Sequence, residues 1–234
     1  MTVLDVSNYD YETFDVNCLK ANGVASILLG CQRLEIAQLM AQKAINNGLP
    51  VLGTYAFLYF GISVGPEVTK AVDIARQYNI GRVWLDCEST GANDSASGPG
   101  QRQVELRGAI AQVISAGLRC GIYTGSWWWP SYMATDEFSY LPLWHAEYPE
   151  DGHQVKAVDY GGWTDVAIHQ YTSSLNLCGR NRDANYVFME EEMEDTVLRA
   201  IMIKREWLRE WASKADDLEM DKAYQALKVA GLVP

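Results

Sequence analysis

Apolar runs and amphipathic stretches alternate along the first half of the chain. The runs TVLDVSN (2–8), VASILLG (24–30) and VLGTYAFLYF (51–60) predict strands. Between the last two, RLEIAQLMAQKAINNG (33–48) places apolar residues at 34, 36, 39, 40 and 44, a helical spacing, and stops at Gly48. PEVTKAVDIARQYN (66–79) predicts a second helix opened by Pro66, and GRVWLDCE (81–88) a fourth strand. The polar stretch STGANDSASGPG (89–100) reads as a loop. QRQVELRGAIAQVISAG (101–117) predicts a third helix and LRCGIYTG (118–125) a fifth strand. Beyond this point helices thin out. SWWWPSYMA is short and broken by Pro130, while LPLWHAEY (141–148), DVAIHQYT (165–172) and RDANYVF (182–188) predict strands six to eight.

Strands separated by helices imply a parallel sheet, and eight of them suggest a TIM-like (β/α)8 barrel. Such barrels typically run to ~250 residues, so roughly 190 here predicts a trimmed α/β version with few late helices. The pattern changes over 189–234, where charged residues surround an apolar stripe of Val197, Ile201, Leu208, Trp211, Ala215 and Leu218. Two parts are therefore expected: a barrel domain over 1–188 and a helical C-terminal extension over 189–234. The extension would pack on the barrel or form a homo-oligomer.

Composition narrows the function classes. With 48% hydrophobic and 21% charged residues the chain is an ordinary globular protein. A net charge of −11 argues against nucleic acid or an anionic membrane surface as partner. No apolar run approaches the ~18–20 residues of a membrane span. Met1 leads straight into a strand-like segment without a basic or apolar leader, so synthesis in the cytoplasm without a signal peptide is expected. The five cysteines are scattered and lack any CxxC, which predicts reduced, packed thiols and no metal. No cofactor is expected.

Candidate chemistry centres on VWLDCEST (83–90). Side chains alternate along a strand, so Asp86 and Glu88 point the same way, their Cα atoms ~6.5–7 Å apart. Two like charges on one face resist burial unless something uses them. Catalytic groups of parallel barrels sit at the C-terminal ends of the strands. Reading those ends in order collects Asp5, Tyr9 and Asp10; Tyr55 and Phe57; Asp86 and Glu88; Tyr123; Trp144, Glu147 and Tyr148; His169, Gln170 and Tyr171; Asp183 and Asn185. Converging carboxylates raise the proton affinity of at least one, and aromatic walls suit sugars. Together they point to glycoside hydrolysis. Plainer roles remain for some residues. Asp86 and Glu88 could pair with Arg82 or Arg102, or hold a divalent ion with Asp5 and Asp183. His145 and His169 read as hydrogen-bonded structural residues, Trp127, Trp128 and Trp129 as part core and part rim, and Cys87 as an outward packed thiol.

DVSNYD, VWLDCE, GIYTG, PLWHAEY, IHQYT and DANYVF occur in an order that resembles the family 25 glycoside hydrolases. These are Chalaropsis-type lysozymes (N-acetylmuramidases), many of them bacteriophage endolysins. The resemblance spans roughly residues 2 to 188. It implies that Glu88 is the general acid, that Asp86 assists the substrate's acetamido group or positions a water, and that Asp5 and Asp183 tune that pair. It also implies that Tyr55, Tyr123, Trp144, Tyr148, Gln170 and Tyr171 line a groove for peptidoglycan glycan strands. The chain departs from the family at Ala56, where a His is common, and at Glu147, where Gln is usual. The expected activity is cleavage of the β-1,4 bond between N-acetylmuramic acid and N-acetylglucosamine, with release to the wall by lysis or a holin-type route. The alternative is a non-catalytic glycan-binding or virion structural barrel.

Overall fold

Eight strands close into a barrel in chain order: β1 (Thr2–Val6), β2 (Val24–Gly30), β3 (Val51–Phe57), β4 (Arg82–Asp86), β5 (Arg119–Thr124), β6 (Leu143–Ala146), β7 (Ile168–Leu177) and β8 (Arg180–Val187). The computed structural model describes residues 2–89, 91 and 95–188, all within a compact unit spanning Met1–Glu190. The helical extension expected over 189–234, and any oligomer contact made by it, lie outside the described residues. No helix among the described residues is long and apolar enough to cross a membrane.

Pairing is parallel from β1 through β7, but β8 runs antiparallel to both β7 and β1. This corrects the all-parallel sheet expected from the sequence. Only Cys178 and Gly179 separate β7 from β8, and both have positive φ (54° and 79°). A two-residue loop of that kind closes an antiparallel hairpin, whereas a parallel return needs a crossover of a dozen or more residues. The reversal matters for chemistry. It puts the beginning of β8 at the mouth of the barrel, so Asp183 lies in register with Asp5.

The hairpin lies over the segment that follows β1, a 3-10 turn (Asn8–Thr13) and the short helix α1 (Val16–Ala21). Buried Arg182 donates to Asp10 Oδ1 at 2.8 Å and to the Thr13 carbonyl at 2.8 Å, and Arg180 donates to the Tyr9 carbonyl. Cys178 at the hairpin turn is disulfide-bonded to Cys18 in α1, across 160 residues of sequence. The expectation of five reduced thiols therefore fails for this pair, whose proximity only the closed barrel creates. Cys31, Cys87 and Cys120 are free and buried as expected. A covalent loop of this length should stabilise the fold by about 2–5 kcal/mol. Reduction is expected to lower the melting temperature, and alkylation of the unfolded, unreduced protein should label only the three free thiols. Labelling of all five cysteines without reductant would refute the pairing.

Outside the strands pack α2 (Leu34–Asn46), α3 (Gly65–Gln77) and α4 (Pro99–Ser115). The first two bury the same spacing, Ala37, Met40, Ala41, Ala44 and Val68, Ala71, Val72, Ala75. That is one helical stripe, and its small residues bring each helix close to the sheet. After β5 only the single turn α5 (Trp129–Tyr132) follows, and among the described residues no helix joins β6 to β7. The loss of late helices follows the sequence reading. Residues 147–167 cover this side as irregular chain. Tyr160 OH meets His145 Nδ1 at 2.9 Å, the Val155 N–H donates to His169 Nδ1 at 3.1 Å, and Trp163 donates to the Leu141 carbonyl. Both histidines are thus fully buried structural partners, with burial lowering their proton affinity. Trp128 and Trp129 are core and Trp127 is 55% exposed, as the plain reading held.

Inside the barrel a second cluster of Val3, Leu28, Tyr55, Trp84, Tyr123, Trp144 and Ile168 forms a plug below the mouth. Trp144 is its hub, with ring edges meeting Tyr55, Trp84 and Tyr123 at centroid distances of 5.8, 5.8 and 4.7 Å. Room for the Trp84 ring comes from Gly121, where an added Cβ would stand 2.4 Å from it.

Candidate active site

Alternation along β4 directs Trp84 and Asp86 inward, while Val83, Leu85 and Cys87 join the outer core beneath the helices. Cys87 is fully buried there and so is packing, not chemistry. Asp86 is 5% exposed, and among the described residues its Oδ1 is buried with no hydrogen-bond partner. An unpaired buried carboxylate oxygen is costly in a finished structure and is normally matched by something that binds. Glu88, just past the strand end, is half-buried and open to an incoming molecule.

Asp5 lies at the centre of a polar network. Gln170 Nε2 donates to both of its oxygens at 3.1 Å, and Asn185 Nδ2 donates to Oδ1 at 2.7 Å. Gln170 Oε1 in turn accepts from Tyr123 OH at 2.9 Å and Tyr148 OH at 2.7 Å. Asp183 on β8 stands in register with Asp5 on β1, and each carboxyl acts on the other's proton affinity.

The electrostatics all point one way. Burial, then the Asp183 charge, pushes Asp5 up to about 8. Burial, then Asp183, pushes Glu88 up to about 7. Asp86 is raised well above its ordinary range by burial, then by Glu88 and Asp5, and Asp183 is raised chiefly by burial. Burial and mutual repulsion thus raise the proton affinity of all four acids, and Glu88, at about 7, can supply the proton that a leaving group requires.

Of the groove residues expected from the sequence, the structure brings Tyr55, Tyr123, Tyr148 and Gln170 to the acids. Tyr148 is the exposed one at 51%, whereas Gln170 is 2% exposed and spends both ends of its amide inside the protein. Trp144 is plug, not wall. Tyr171, at a register shift of β7 between Gln170 and Thr172, is half-buried, stacked on Tyr186 at 4.2 Å and packed against the outer core, and the structure does not bring it to the acids. Asn185 has a larger part than the sequence reading gave it. Its signal was available, two residues after Asp183 on the same face.

The model of the glycosyl hydrolases family 25 matches residues 4–180, most of the described barrel. The chain belongs to glycosyl hydrolase family 25. A probable family 25 lysozyme of Dictyostelium discoideum (lysozyme 4) is 31% identical over 152 residues, 61% of this chain and 68% of that protein. A second from the same organism (lysozyme 3) is 27% identical over 63% of this chain, but the match spans only 32% of its length. Among solved structures, a bacterial lysozyme from Streptomyces coelicolor superposes with a TM-score of 0.64 at 17% identity, covering 82% of this chain and 93% of the other. At that identity the likeness speaks for the shared barrel.

The family 25 acid cluster also makes stability depend on pH in a stated direction. Folded Asp5 titrates at about 8, whereas an unfolded aspartate titrates at about 4. Between these values the folded protein binds a proton that the unfolded chain has released, so rising pH lowers stability throughout the window. The raised Asp86, Glu88 and Asp183 act in the same direction. The melting temperature should therefore fall between about pH 5 and about pH 8, and Asp5→Asn should flatten the fall and melt higher than wild type at the alkaline end. A variant melting lower than wild type there would contradict this.

Proposed function

We propose that this family 25 barrel is a peptidoglycan hydrolase, an N-acetylmuramidase cleaving the β-1,4 bond between N-acetylmuramic acid and N-acetylglucosamine. The observation that carries the reading is the pair on β4. Glu88 is half-buried and raised to about 7, while Asp86 beside it keeps an unpartnered buried oxygen. Glu88 donates its proton to the glycosidic oxygen as the bond breaks. Asp86 Oδ1 accepts from the substrate's acetamido N–H, orienting that group at the anomeric carbon, or holds the attacking water. The Asp183 charge acting on Glu88 and the Asp5 charge acting on Asp86 oppose early loss of a proton from the pair. The exposed Tyr148 offers a ring to the glycan.

The substrate is extracellular, and the Cys18–Cys178 pair suits oxidising surroundings. We propose that the protein acts on the wall after release from a cytoplasm, by lysis or a holin-type route in the manner of a phage endolysin. A non-catalytic glycan-binding or virion module is the second reading. Four intact acids with raised proton affinity speak against it, since binding alone does not use them. Incubation with purified peptidoglycan, followed by mass spectrometry of new reducing ends, tests the proposal. Muramic acid ends are expected; glucosamine ends, peptide cleavage or no cleavage would overturn it.

A further inference from the structure

Asn185 is fully buried on the inner face of β8, and every polar atom of its side chain is used. Its Oδ1 accepts the Trp144 indole N–H at 2.7 Å. Its Nδ2 donates to the Val3 carbonyl at 3.2 Å and to Asp5 Oδ1 at 2.7 Å. An indole N–H can only donate and a backbone carbonyl can only accept. The amide therefore cannot turn over without breaking both bonds. Asn185 presents an N–H to Asp5 whatever the protonation state of the acid.

Gln170 differs in kind. Its Oε1 faces two phenols, Tyr123 and Tyr148, and each phenol can donate or accept. A flipped Gln170 would keep partners at that end and turn its oxygen toward Asp5, which a protonated Asp5 could satisfy. Gln170 can follow the state of Asp5, whereas Asn185 dictates it.

We propose that Asn185 is a positioning residue for the hydrolysis proposed above: it holds Asp5 Oδ1 as an obligate acceptor and so confines any proton on Asp5 to Oδ2. The inference rests on that functional reading for its kinetic consequence but not for its geometry. The groups facing Asp5 are Asp183 on β8, Asp86 on β4, Tyr55 on β3, Tyr123 on β5 and Tyr148 after β6. The phenols are raised above their ordinary values and stay neutral. From β2 the register partner of Asp5 is the apolar Leu28, and from β7 the uncharged Gln170 reaches it. The Arg180 charge on β8 eases ionisation of Asp183 and the Asp10 charge opposes it; at Asp5 itself the hydrogen bonds from Asn185, then Gln170, stabilise the charge. Without the Asn185 bond Asp5 binds its proton more tightly, and the ionised form of the pair is reached only at higher pH.

Two variants test this. Asn185→Leu removes the donor and keeps the branched shape at a larger volume, and Trp144→Phe keeps an aromatic plug but deletes the N–H that fixes the amide. Two readouts are needed: kcat and KM on purified peptidoglycan, and the carboxyl carbon-13 titration of Asp5 by NMR. For Asn185→Leu the Asp5 titration is expected to move up by about one pH unit, with kcat reduced and KM nearly unchanged. Trp144→Phe should shift both readouts the same way by less. A folded Asn185→Leu protein with an unmoved Asp5 titration would overturn the proposal. Should Asn185→Leu fail to fold, the same two readouts on Trp144→Phe decide it, an unmoved titration counting against. If wild type does not hydrolyse peptidoglycan, the functional reading fails, and the NMR titration alone still decides the role of Asn185.

Discussion

Glu88→Gln is expected to slow peptidoglycan hydrolysis about 10³-fold, the scale on which loss of a positioned general acid is felt. Gln has nearly the shape of a protonated Glu and can still hydrogen-bond a glycosidic oxygen, but it has no proton to give. The loss should thus fall on kcat, with KM little changed. Glu88 is held up to about 7 by burial and by Asp183. It follows that wild-type kcat/KM should fall on the alkaline side with a midpoint near that value, and that this limb should vanish from the residual activity of the variant. Removing one charge from a crowded acid cluster should also leave the melting temperature at neutral pH unchanged or higher. A variant retaining more than about a tenth of wild-type kcat would place the acid elsewhere.

Trp144→Ala carries the largest expected cost to the fold. The side chain is 1% exposed at the hub of the inner plug, so truncation removes its buried surface and leaves a cavity, typically about 3–5 kcal/mol for a buried Trp. The edge contacts with Tyr55, Trp84 and Tyr123 are lost as well. Asn185 Oδ1 loses the indole hydrogen bond, which adds about 1–3 kcal/mol if water does not replace it. Against a total stability of about 5–15 kcal/mol, the variant should be marginal or unfolded at ambient temperature. Trp144→Phe should retain most of the plug. Urea unfolding followed by circular dichroism separates the two cases, and a midpoint for Trp144→Ala close to that of wild type would show that the plug is dispensable.

Much of this molecule was legible in local pattern. The spacing of Ala37, Met40, Ala41 and Ala44 marks a helix face whatever it packs on, and a short β-branched run such as VASILLG marks a strand buried on both sides. Alternation alone turned Asp86 inward and Cys87 outward. On β7 the rule is less simple, because the register with β8 shifts between Gln170 and Thr172, and Tyr171 there stacks on Tyr186.

The direction of β8 was not legible, because Cys178-Gly179 resembles no strong hairpin turn and its two positive φ angles appear only in the folded chain. The disulfide, the Arg182–Asp10 contact and the hydrogen bond from Asn185 to Asp5 join residues 160, 172 and 180 positions apart. No local preference encodes such contacts. The sequence by itself determined which residues are acids, which face of each strand they occupy and which segments are strands or helices, since those depend on neighbours a few positions away. The tertiary structure decided which acids stand together, which amide holds which oxygen and which aromatic ring is floor rather than wall. Those depend on closing the barrel, which sets distant strands a few ångströms apart and removes the water that would otherwise satisfy their polar groups.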